Sequence, residues 1–193
     1  TLKNFHVLAC RMPVRKIPKN YLMVTGVFSS GKNGKSLGYE SLLERDLMIL
    51  LEFDDTVKDF EEQPVKISFK VDGKSKKYYV PDILIHYQSS AGVTNRTVLG
   101  EIKHTDDLKK NKAKYAPKFE AAKIFAAERE WEWQIFTEKD IRTPLLENLK
   151  FLREYRSAEP DISLQNEVIA CLQCARGSVT VDSVLEQLCP TDD

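Results

Sequence analysis

The sequence predicts an α/β (α+β) domain with a mixed, mainly antiparallel sheet flanked by helices, followed by a short helical C-terminal appendage. Three observations carry this expectation. Leu43, Leu47, Leu50 and Leu51 recur at helical spacing, a block of short β-rich runs fills the middle, and helical periodicity returns after Lys103. A chain of 193 residues has room for one ordinary core, and 42% apolar against 30% charged residues is a globular rather than a disordered composition.

Residues 1–35 scatter Pro13, Pro18, Gly26, Gly31 and Gly34 among Arg11, Arg15, Lys16, Lys19, Lys32 and Lys35 with no sustained period, and read as an irregular arm. A helix is expected over about 38–53, ended by Asp54-Asp55. Val57–Glu62 and Val65–Val71 read as strands split by Gln63-Pro64, with a turn at Asp72-Gly73. Tyr78–Val80 and Ile83–Ile85 read as one continuing strand that turns near Ala91-Gly92 into Thr97–Lys103, completing an antiparallel meander. Tyr115, Phe119, Ala122 and Ala126 mark a helix with Pro117 at its start or kink, and Trp133–Phe136 a short buried strand. Asp140–Tyr155 reads as one amphipathic helix with Leu145, Leu149 and Leu152 on its inner stripe. The expected organisation is an arm over 1–35, a core over 36–156 and a helical appendage over 157–193.

Several function classes are excluded at this stage. Lys plus Arg and Asp plus Glu number 29 each, so a zero net charge argues against coating nucleic acid by bulk electrostatics. No apolar run approaches the length of a membrane span. Four cysteines, Cys10, Cys171, Cys174 and Cys189, are too few for a disulfide framework, and the first residues lack a secretory pattern. A reducing, cytoplasmic setting is expected, with an N-terminus that is processed or cut because no Met begins it. Cys171-Leu-Gln-Cys174 has the spacing of half a zinc site, but no second pair follows it.

The chemistry concentrates in Pro81-Asp82 and Glu101-Ile102-Lys103. Residues 101 and 103 leave the same face of a strand, and a symmetric hairpin about 91–92 sets Asp82 opposite Glu101. Opposed carboxylates roughly 5 Å apart repel unless a cation lies between them. A hard divalent ion, Mg²⁺ with Mn²⁺ as substitute, meets that need, and Lys103 beside it can orient or help deprotonate a water. That chemistry suits phosphodiester hydrolysis. The alternative is a solvated strand face with an incidental ion pair. Lys103 with Lys109, Lys110, Lys112, Lys114 and Lys118, which follow it, are candidates for DNA phosphate contacts, or else a solvated helix face.

Pro-Asp, a loop, then Glu-x-Lys resembles the signature of the PD-(D/E)xK nuclease superfamily, whose restriction-endonuclease-like core has this order of elements. More of the chain resembles the TnsA-type endonuclease subunit of heteromeric cut-and-paste transposases: Ser41–Glu44 with Leu51–Phe53, Phe60–Pro64, Val80–Leu84, Glu101–Lys103, and Phe136–Ile141 with Asn148-Leu149. The resemblance spans about 36–155. It implies a catalytic set of Glu44, Asp82, Glu101 and Lys103, with Asp82, Glu101 and Glu44 holding the metal. Glu40, one turn earlier, is the rival to Glu44, and Glu101 stands where some members carry Gln. The resemblance further implies cleavage at transposon 5′ ends, a DDE-type (TnsB-like) transposase partner and an AAA+ (TnsC-like) ATPase. Residues 164–188 suggest two helices about a tight turn, suited to partner docking. A stand-alone restriction or repair nuclease, or an inactive scaffold of the same fold, are the alternatives.

Overall fold

The computed structural model describes residues 24–71, 75–88, 96–156, 159, 161–175 and 177–188. Arg11, Arg15, Lys16 and Lys19, the turns at 72–73 and 91–92, Cys10 and Cys189 lie outside these residues. The chain divides into two compact units, residues 1–151 and 152–193.

The first unit opens with a hairpin, β1 (Gly26–Ser30) and β2 (Lys35–Tyr39), where the sequence suggests an irregular arm. Burial of Phe28 and Leu37 holds it to the core, and the turn is tied by a buried carboxylate. Glu52 accepts from the Ser30 hydroxyl at 2.6 Å, the Gly31 N–H at 2.8 Å and the Lys32 N–H at 3.1 Å. Helix α1 (Leu42–Phe53) therefore starts later than expected, because residues 38–39 belong to β2. Ser41 caps it, accepting the Glu44 N–H at 3.2 Å.

Strands β3 (Val57–Glu62), β4 (Ile67–Val71), β5 (Ser75–Tyr79), β6 (Ile83–Tyr87) and β7 (Arg96–Ile102) follow. Helices α2 (Thr105–Lys110) and α3 (Lys112–Ala127) lead to β8 (Glu132–Phe136), α4 (Glu138–Ile141) and α5 (Pro144–Arg153). The central sheet is mixed, ordered β3-β6-β7-β8, with β8 parallel to β7 and the other pairs antiparallel. β4 and β5 form a separate hairpin. The expected continuous strand from Tyr78 to Ile85 is thus two strands in different sheets. Pro81, which has no N–H for a ladder, and the bend at Asp82 separate them.

The sheet has a core on each face. One joins Leu43, Leu47 and Leu51 of α1 with Phe60, Ile83, Ile85, Val98 and Ile102. The other joins Leu84 and Leu99 with Ile67, Tyr79, Ala122 and Ala126, so α3 and the β4–β5 hairpin cover it. The expected helix over 140–155 is broken at Arg142-Thr143, which resets its phase. Leu146 is fully buried while Leu145 is 57% exposed, so Leu146 and the partly buried Leu149 form the inner stripe. Asp46, buried on α1, pairs with Arg45 at 2.9 Å, Arg142 at 3.2 Å and Lys150 at 3.8 Å, tying α1 to the C-terminal end of the unit.

The second unit contains α6 (Ile162–Cys174) and α7 (Val181–Leu188), which contact each other. Asp161 caps α6, and the Cys171 thiol donates to Gln187 Oε1 at 2.7 Å. No helix among the described residues is long and apolar enough to cross a membrane.

Candidate active site

Antiparallel pairing of β6 with β7 sets Ile83 opposite Gly100 and Leu84 opposite Leu99. The same register brings Asp82, at the bend before β6, to the end of β7 beside Glu101. Its backbone is held on both sides: the Asp82 N–H donates to Gly100 O at 3.1 Å, and the Gln63 N–H donates to Asp82 O at 3.0 Å. Gln63 is buried at φ 45, a left-handed backbone that ends β3 just before Pro64. The Asp82 side chain caps the end of β7, its Oδ2 accepting the Ile102 N–H at 2.7 Å.

Lys103 continues past β7 with its N–H on Phe136 O at 3.0 Å. Its ammonium lies between the two strand carboxylates, 3.2 Å from Asp82 Oδ2 and 3.2 Å from Glu101 Oε1, and donates to Ile102 O at 2.9 Å. Glu101 is 1% exposed. Besides Lys103 it accepts from Lys118 Nζ at 2.8 Å on Oε1 and from the Tyr79 hydroxyl on Oε2. Glu44 stands in the first turn of α1, where Oε2 accepts the Glu40 N–H at 2.8 Å and Oε1 the Ser41 hydroxyl at 2.9 Å. Glu44 thus reaches back over the helix start to Ser41 and the residue before it, so it has a structural role whatever else it does. It is also close enough for its charge to act on Asp82, and for that of Lys103 to act on it. Glu40 supplies its backbone N–H to Glu44 in this arrangement.

The electrostatics show an excess of buried negative charge. Burial pushes the Asp82 carboxyl up to about 7, reinforced by the charge of Glu101 and opposed by Lys103. Burial likewise raises Glu44, against its hydrogen bonds from Glu40 and Ser41. Burial alone would lower Lys103, but Asp82 and Glu101 outweigh it and hold the ammonium above the ordinary lysine range. Three carboxylates thus face two ammonium groups, Lys103 and Lys118. Carboxylate oxygens are the ligand type of hard divalent cations, but the three side chains among the described residues whose ligand atoms approach one another closely enough to share an ion are Asp59, Glu61 and His86.

Lys109 and Lys110 on α2, and Lys112 and Lys114 on α3, are all exposed and follow Lys103 in the chain. Lys109 pairs with Asp106 at 3.6 Å. Lys118, part of the same lysine run in sequence, instead turns inward to Glu101.

Residues 54–138 match the family model described as TnsA-like endonuclease N terminal. Over these residues the chain is similar to the N-terminal domain of TnsA-like endonucleases. The matched TnsA-like span contains Asp82, Glu101 and Lys103 and begins after Glu44. Among curated proteins there is no match to the chain.

A second cluster in the matched span escapes sequence reasoning. Asp59 and Glu61 leave one face of β3, and His86 lies opposite Asp59 on β6, with ligand atoms within 4.8 Å of one another. His86 Nε2 is 3.8 Å from Asp59 and 3.7 Å from Glu61, and its Nδ1 is 3.2 Å from the Thr97 hydroxyl. This cluster can hold a metal ion. Alternating acids at 59 and 61 were its sequence signal, but pairing with His86 depends on the register shift between Val57 and Asp59. Tyr79 was also missed, and Lys118, expected at DNA phosphates, instead holds Glu101; each reaches Glu101 from an element outside the strand pair.

Proposed function

We propose that this chain is the metal-dependent DNA endonuclease subunit of a heteromeric transposase, hydrolysing phosphodiesters at transposon 5′ ends. The observation that carries the reading is the meeting of Asp82, Glu101 and Lys103 on one end of the sheet, inside the span matched to the TnsA-like endonuclease family. Asp82 and Glu101, with Glu44, are the residues that would hold Mg²⁺ or Mn²⁺. When bound, the ion would stabilise charge on the phosphate and make a hydroxide accessible near neutral pH.

The chain's own groups supply the rest. Lys103 carries a charged ammonium, so its part is to orient a water or a phosphate oxygen rather than to abstract a proton while it stays paired. Ile102 N–H and Gln63 N–H fix the side chain and backbone of Asp82 against the strand end. Lys109, Lys110, Lys112 and Lys114 contact DNA backbone without reading sequence. The core over 36–156 performs the chemistry, and the appendage over 157–193 docks partner subunits, a DDE-type transposase (TnsB-like) and an AAA+ ATPase (TnsC-like). With zero net charge, the lone chain binds DNA weakly and is delivered by these partners.

The test is a strand-labelled transposon end incubated with the chain alone and with the partner subunits. Cleavage is expected only in the assembled system with Mg²⁺ or Mn²⁺, absent in chelator and nearly absent in Ca²⁺. Full activity in excess chelator refutes the metal, and efficient specific cutting by the lone chain refutes delivery. Removing residues 157–193 should weaken co-purification with the partners while leaving the fold of the core.

A further inference from the structure

Glu101 stands apart from the other proposed ligands because its carboxylate is held from three directions. A carboxylate offers about four lone-pair sites. Lys103 and Lys118 share Oε1, and Tyr79 takes one site on Oε2. Lys103 is itself divided between Glu101, Asp82 and Ile102 O. Tyr79 and Lys118 therefore do most to fix the Glu101 rotamer, and they come from β5 and α3, which flank the site. Lys118 is fixed in turn by aromatic faces. Its ammonium lies 4.5 Å from the ring centroid of Tyr115, 4.6 Å from that of Tyr79 and 5.1 Å from that of Phe119. Rings around a cation at these distances attract it through their quadrupoles. A lysine so placed is unavailable to DNA phosphates, unlike its exposed neighbours on the same helix.

We infer that Tyr79 and Lys118 are positioning residues that clamp Glu101, holding its carboxylate beside Asp82 for a divalent cation. The inference rests on the nuclease reading and deepens it: cation affinity depends on β5 and α3 as well as on the strand pair that carries the ligands. Losing a group that orients a ligand lowers metal affinity about 10–100-fold.

Mn²⁺ titration of the full chain, followed by electron paramagnetic resonance, reads this without any cleavage step. Wild type, Asp82→Ala, Tyr79→Phe, Lys118→Met and Lys118→Arg are compared, with thermal melting to verify folding. Tyr79→Phe removes one hydroxyl at unchanged charge and should weaken Mn²⁺ binding about tenfold or more. Lys118→Met should weaken it similarly, and Lys118→Arg should recover most of the loss. Unchanged affinity in Tyr79→Phe overturns the clamp, whether or not Lys118→Met folds. Tighter binding in Lys118→Met also overturns it, because Lys118 would then act only as a charge that repels the cation. If wild type binds no Mn²⁺ that Asp82→Ala removes, the nuclease reading itself falls, and the clamp with it.

Discussion

Replacing Asp82 with asparagine should change how folding stability depends on pH in the metal-free protein. The Asp82 carboxyl is pushed from an ordinary 3.8 up to about 7, by burial first, then by the charge of Glu101. A pKa raised on folding means that the native state holds a proton the unfolded chain has released. Stability is therefore unpenalised below about pH 4, declines as pH rises through this window, and carries the full cost above about pH 7. About three units at about 1.4 kcal/mol each put that cost near 4 kcal/mol. Asparagine cannot titrate and still offers a carbonyl oxygen to the Ile102 N–H. In wild type Lys103 is held charged throughout the window, chiefly by Asp82 and then by Glu101, so it adds no slope of its own there. Urea unfolding in chelator, at intervals between about pH 4 and 8, would give both stability curves. The variant should gain on wild type by several kcal/mol from the acid end to the neutral end, and adding Mg²⁺ at neutral pH should close the gap by stabilising wild type. Parallel curves would refute the buried, charge-crowded environment assigned to Asp82.

Other outcomes follow from packing and capping. Gly100→Ala would place a Cβ 2.8 Å from Ile83 Cγ2 and 2.8 Å from Phe136 Cε2, so a loss of about 1–3 kcal/mol is expected in urea unfolding; an unchanged midpoint would contradict that contact. Glu52→Ala leaves the Ser30, Gly31 and Lys32 donors without their acceptor and should cost about 1–3 kcal/mol for each donor that stays buried, with faster amide exchange at Gly31 and Lys32. Glu44→Gln retains an oxygen for the Glu40 N–H and should leave stability nearly intact while abolishing metal-dependent cleavage. Wild-type cleavage by that variant would reduce Glu44 to a helix cap.

Asp82, Glu101 and Lys103 were legible in the sequence because two simple rules place them. A strand repeats every two residues, and a symmetric hairpin pairs positions of constant sum, as Ile83 with Gly100 and Leu84 with Leu99 do here. Such rules do not reach side chains delivered by distant elements. Tyr79 contacts Glu101 only because the chain leaves the central sheet at Pro64 and re-enters it after Pro81, and Lys118 looks like any other member of a lysine run. The first hairpin was hidden for a related reason: Phe28, Leu37 and the Glu52 carboxylate fix it through contacts with no sequence period. The break at Arg142-Thr143 shifted the inner stripe of α5 from Leu145 to Leu146, which periodicity counted across the break could not show. Motif likeness also carried structural residues along with chemical ones. In the Phe136–Ile141 stretch, Thr137 and Asp140 form a capping box, and Glu138 accepts the Thr105 N–H at 2.9 Å.

Strand-specific cleavage by Asp82→Ala in the fully assembled system, with Mg²⁺ and with each strand of the transposon end separately labelled, addresses the central claim most directly. The site described here predicts that 5′-strand cleavage disappears while complex assembly and the partner's 3′-strand cleavage persist, and that Lys103→Ala behaves the same way. Cleavage of the 5′ strand at the wild-type rate by Asp82→Ala would contradict it.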